Sequence, residues 1–137
     1  MSATRPTTAQ VHQSGRHLAV AEALLRALPA KLRGAQTYIE VGEHVALVKV
    51  ATKNAWIIGD VDEFTALTCD RAILINISDT RDFYIVDANQ LRAGVRKRHQ
   101  EFLERVGGTR PRNPDSKNHV IQLEHVNEWR DRWDLLI

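Results

Sequence analysis

Lys49 is the residue whose setting invites a chemical test. It stands in the run His44-Val-Ala-Leu-Val-Lys-Val-Ala-Thr52, valine-rich and apolar on both sides, as a central strand would be. A metal-dependent nuclease needs carboxylates on neighbouring strands to hold Mg²⁺, and a lysine two residues after one of them to orient the attacking water. Strand periodicity puts residues i and i+2 on one face, so such a carboxylate and lysine meet. Here Leu47 precedes Lys49 by two and Ala51 precedes Lys53 by two, and neither offers a carboxylate or an amide. Glu22, Glu40, Glu43, Asp60 and Asp62 remain as acids, none with the right lysine beside it. The metal pattern is therefore incomplete. The alternative for Lys49 is plain: its stem threads the sheet edge and its ammonium sits in water.

The cations are unevenly spread. Net charge is only +2, yet the stretch 92–118 carries eight positives against Glu101, Glu104 and Asp115. Such asymmetry suggests an anionic partner, with nucleic acid the usual candidate. The candidate phosphate contacts are Arg92, Arg96 and Lys97 on a basic helix, with Arg110, Arg112 and Lys117 in the loop after it. Pro111 and Pro114 hold that loop open, and arginine forks bind phosphate bidentately. The competing reading is a solvated helix face with arginines paired to nearby acids.

Other motifs carry less. There is no Gly-rich phosphate loop and no G-x-S-x-G elbow. Ser116 and His119 lack a third member for a triad. The single cysteine, Cys69, excludes an internal disulfide and reads as a small buried hydrophobe. The six histidines show no zinc spacing. Trp129 and Trp133 could stack on bases, but beside Leu123 and Val126 they read as one helix face docked on a sheet.

The elements that must position these residues can be read in order. A chain of 137 residues is one domain with one ordinary core, here 11–137 after a flexible tail at 1–10. Leu18, Ala21, Leu25 and Leu28 predict a helix from about Gln10 until Pro29 stops it. Glu22 lies on or beside that stripe. Strands follow at 38–41, 44–52 and 56–58, with turns at Gly42-Glu43 and Lys53-Asn54. A short helix over about 62–67 takes Asp60 or Asp62 as its cap. A strand at 72–77 and a hairpin partner at 83–86 come next. Asp87 and Gln90 then form a capping box for a helix over 87–106, with Gly107-Gly108 closing it. A terminal helix ends the chain. The fold class is α/β, with a mixed sheet near its middle. No apolar run approaches the roughly 18 residues of a membrane span, and MSATRPTTAQ offers no apolar region of a signal peptide. The expectation is a cytoplasmic domain with no membrane partner.

The helix, the Val-Lys strand, the hairpin and the basic helix, with the stretch from Arg98 to His119 and Trp129-Arg-Asp-Arg-Trp-Asp-Leu-Leu136, together resemble small bacterial proteins related to the PD-(D/E)XK restriction-endonuclease-like superfamily. The likeness is strongest over about 82–137. It implies an αβββαβ core with a mixed central sheet flanked by helices, plus C-terminal helices. It also implies a site built from a helix Glu, a strand acid, and a Glu or Gln two residues before a Lys. Glu22 and Glu40 would take the metal positions and Lys49 the catalytic one, with Leu47 where the Lys49 partner belongs. The expected function is a catalytically degenerate module that binds nucleic acid, DNA by the resemblance, or regulates. Two alternatives stay open: a Mg²⁺-dependent endonuclease with a non-standard site, and a protein-interaction module or homodimer with an acidic partner.

Overall fold

The computed structural model describes residues 4–34, 37–107 and 118–137. Helix α1 (Thr8–Leu25) starts inside the stretch expected to be a tail. Its start is fixed by a reciprocal capping box, in which the Thr7 hydroxyl accepts from the Gln10 N–H at 3.1 Å and the Gln10 amide oxygen accepts from the Thr7 N–H at 2.8 Å. Strands β1 (Ala30–Leu32), β2 (Tyr38–Val41) and β3 (His44–Ala51) form an antiparallel meander. Gly42, at φ 60°, makes the tight turn between the last two.

Strand β4 (Ala55–Ile58) then leaves the sheet, and α2 (Val61–Thr65) follows it. Strand β5 (Arg71–Asn76) returns parallel to β3, and β6 (Asp82–Asp87) pairs antiparallel with β5. Helix α3 (Ala88–Arg105) is capped by the Asp87 carboxylate, which accepts from the Gln90 N–H at 3.0 Å. The main sheet is mixed, in the order β1-β2-β3-β5-β6, and β7 (His119–Gln122) pairs with β4 in a second, two-stranded sheet.

The period-2 alternation of the strands builds two cores, one on each face of the main sheet. Ile39, Val41, Ala46, Val48, Ile73, Ile75 and Ile85 pack against Ala19 and Ala23 of α1. Leu47, Ala72, Leu74, Tyr84 and Val86 face the other way, toward Phe64 of α2, Leu91 and Val95 of α3, and Trp56 and Ile121 of the small sheet. This is an α/β architecture with helices on both faces. No helix among the described residues is long and apolar enough to cross a membrane.

The C-terminus corrects one expectation. In place of a terminal helix the chain makes β7 and three 3₁₀ turns, Leu123–His125, Asn127–Trp129 and Trp133–Leu136. Asp131 adopts φ 55° and Tyr84 bridges to Arg130, so the segment turns around the β6 edge. Trp129 packs with the α3-side core and Trp133 with the α1-side core. An i, i+4 helical pair would have put both rings on one face; here each fills a different layer.

Candidate nucleic-acid interface and the Lys49 cavity

Lys49 pairs across β3 and β5 with Leu74. It projects away from α1, because Val48 and Val50 on either side of it pack toward α1. Leu47, two residues earlier on the same face, is opposite Tyr38 of β2. The sheet thus surrounds Lys49 with Leu47, Leu74 and Tyr38, and contributes no carboxylate. Burial lowers the Lys49 pKa from its ordinary value, with no neighbouring acid offsetting the effect.

A cavity of about 600 Å³ opens in front of this lysine. Thr37, Tyr38, Leu47 and Lys49 line it from the main sheet and the turn before β2, and Ile58, Gly59, Asp60, Glu63, Phe64 and Leu67 line it from the end of β4 and the α2 segment. Asp60 is fixed there because it caps α2, accepting from the Glu63 N–H at 3.1 Å. Burial raises the Tyr38 phenol, Cys69 adds to the rise, and Arg33 opposes it.

The three residues proposed for metal chemistry are not assembled. Glu22 belongs to α1, which covers the opposite face of the sheet from Lys49, and its carboxylate pairs with Arg26 at 3.1 Å. Glu40 shares the Lys49 face, yet it is opposite Val45, four residues along β3 and so roughly 13 Å away at strand rise. Its carboxylate turns to Lys31 of β1 at 3.3 Å. Among the described residues no group of three or more His, Cys, Asp or Glu side chains could hold a metal ion.

The basic helix divides into two kinds of cation. Arg92 is half-buried and committed: Nη1 donates to the Cys69 carbonyl at 2.9 Å and Nη2 to the Asn89 side-chain oxygen at 2.6 Å. Arg98 is likewise half-buried, with Nε 3.4 Å from Nε2 of His119. Arg96 and Lys97 are exposed, and among the described residues neither forms an ion pair. Arg110, Arg112 and Lys117, and Ser116 with them, lie outside the described residues. Cys69 is buried, as its position between elements implies.

Three polar features escaped the sequence reading. Arg16 is almost fully buried: Nη1 donates to Gln13, and Nη2 to the carbonyls of Arg33, Gly34 and Tyr38. It clamps the segment that leads into the cavity wall. Its signal was its place on the inward stripe with Ala19 and Ala23. The second is the buried Asn76, whose amide donates to Asn54 at 2.8 Å and accepts from the Ser78 hydroxyl at 2.6 Å. The third is the pair of His44 Nδ1 and Asp70 at 2.6 Å, which long sequence separation concealed. No protein-family model, curated protein or solved structure matches the chain.

Proposed function

We propose that this chain is a nucleic-acid-binding module on a restriction-endonuclease-like scaffold that does not cleave what it binds. The main sheet supports the scaffold: α1, three antiparallel strands and, after β4 has turned out to the second sheet and α2 has followed, a parallel β5 reproduce the αβββαβ order that the resemblance implies, with β4 as an insertion. Leu47 supports the loss of cleavage: it occupies the place from which a ligand would reach a divalent ion beside Lys49.

The observation that carries the binding is the exposed pair Arg96 and Lys97 on α3, without acid partners among the described residues. A paired surface cation gains little by moving to a phosphate, whereas an unpaired one releases a counterion from the nucleic acid at no such loss. Arg110, Arg112 and Lys117, close behind in sequence, extend the proposed contact. No element marks base reading in a duplex groove, so the phosphate contacts position without specifying sequence.

Fluorescence anisotropy with labelled duplex and single-stranded DNA, titrated between about 50 and 200 mM salt, tests the reading. Affinity that falls linearly on logarithmic axes is expected, with plasmid left intact in Mg²⁺ or Mn²⁺. Absence of binding at low salt contradicts the proposal. Binding indifferent to salt contradicts it equally and favours an interaction with protein. Cutting that disappears in Lys49→Ala contradicts the non-cleaving part.

A further inference from the structure

The lining of the Lys49 cavity combines a hydrogen-bond donor from β3 with acceptors from the α2 segment, Asp60 and Glu63, and apolar side chains from both. Lys49 can only donate, and ionised Asp60 and Glu63 can only accept. No ion pair within 4.0 Å joins the lysine to either acid, so donor and acceptors remain available to something placed between them. Tyr38 and Leu47 from the sheet and Phe64 and Leu67 from the α2 side supply the apolar walls. The volume, about 600 Å³, falls inside the range of roughly 300–1,000 Å³ typical of small-ligand sites.

The charge of the lining narrows the occupant. One cation and two anions give an acidic cavity, which repels phosphate and attracts amine hydrogens. We infer that this cavity receives one unstacked nucleobase carrying a carbonyl and an amine on the same edge, cytosine or guanine, with the carbonyl oxygen accepting from Lys49 and the amine donating to Asp60 and Glu63. This rests on the nucleic-acid reading above and names the part of the ligand that the cavity takes. The sugar–phosphate backbone stays outside the acidic cavity. Uracil and thymine present carbonyls at both ends of the pairing edge, and one of them would face a carboxylate. Adenine offers the amine without a carbonyl for the lysine. Bases read this way are held by their pairing edge and by stacking on apolar side chains, and single-stranded substrate spares the cost of unpairing.

The test compares single-stranded deoxycytidine and thymidine homopolymers by anisotropy, with free cytidine, guanosine and uridine by calorimetry. A well-made polar pair to a base edge discriminates by roughly 5- to 150-fold. The wild-type chain is expected to prefer the deoxycytidine polymer at least fivefold, and to bind cytidine and guanosine over uridine. Lys49→Met keeps the stem and removes the donor; Asp60→Asn keeps the helix cap and removes the charge. Each should erase the preference, read as the ratio of the two polymer affinities within that variant. The wild-type comparison stands even where a variant does not fold. Equal affinity for both polymers, unmoved by either variant, overturns the cavity inference and leaves the nucleic-acid reading in place. Binding of cytidine and guanosine without binding of either polymer supports the cavity and overturns the nucleic-acid reading. Silence in every arm overturns both.

Discussion

Gly15→Ala should destabilise this protein, although the same change in an exposed helix interior ordinarily stabilises by about 1 kcal/mol. Gly15 is buried in α1 against β3, and a Cβ built there would collide with Cγ2 of Val50 and meet Cγ1 of Val48 at 3.5 Å. Val50 cannot step aside cheaply, because a β-branched side chain on a strand has few χ1 choices. Either its rotamer or the seat of α1 on the sheet must give. Overpacking of this kind costs about 1–3 kcal/mol. The direct collision places the cost near the top of that range, leaving a net loss of about 2 kcal/mol once the helix gain is taken off. For a domain near this size the melting temperature should fall by about 4–8 °C. The control is Val50→Ala, which removes the colliding Cγ2 methyl. In that background Gly15→Ala should be neutral or stabilising, a coupling of about 1–3 kcal/mol in a double-mutant cycle read by urea denaturation. A rise in melting temperature for Gly15→Ala alone would refute the packing argument.

Further outcomes follow from the polar features. Arg16→Met should cost about 2 kcal/mol in urea denaturation, because three carbonyls lose a charged donor, and it should weaken any ligand of the Lys49 cavity by loosening Tyr38. Burial acts to raise the Asp70 carboxyl, but hydrogen bonds from His44 and the Val45 N–H outweigh it and hold its pKa below the ordinary value of 3.8. Stability from this pair is therefore present above that value and lost as pH falls through the lower folded one; Asp70→Asn should flatten the acid limb of a melting-temperature profile. Asn76→Ala strips Asn54 and Ser78 of a buried partner and should cost about 1–3 kcal/mol by the same denaturation measurement.

Elements written by local chemistry were legible in the sequence. Pro29, Gly42, the Asp60 and Asp87 caps and the nearly unbroken apolar run at 72–77 lie where turns, helix starts and a central strand stand in the structure. What resisted was non-local. Nothing in Ala55–Ile58 says that it leaves the main sheet, because its partner β7 is over sixty residues away in sequence. The two tryptophans satisfied a helical spacing that the left-handed turn at Asp131 breaks. Within the site, Leu47 announced the missing carboxylate from sequence alone. In sequence Asp60 reads as a cap and as one of five acids with no lysine beside it, and only the fold brings that side chain into the cavity that Lys49 lines. In sequence Arg92 is equivalent to Arg96, and the Cys69 carbonyl and the Asn89 side chain distinguish them once the chain is folded.

The most direct measurement is the salt dependence of DNA binding by the wild-type chain and by a variant carrying Arg96→Gln and Lys97→Gln together. Each duplex phosphate contact contributes about 0.9 to the logarithmic slope. The double variant should bind more weakly and lose up to about 1.8 of that slope, while Arg92→Gln should leave the slope unchanged. A double variant with wild-type affinity and slope, or a wild-type chain that ignores DNA at low salt, would contradict the account.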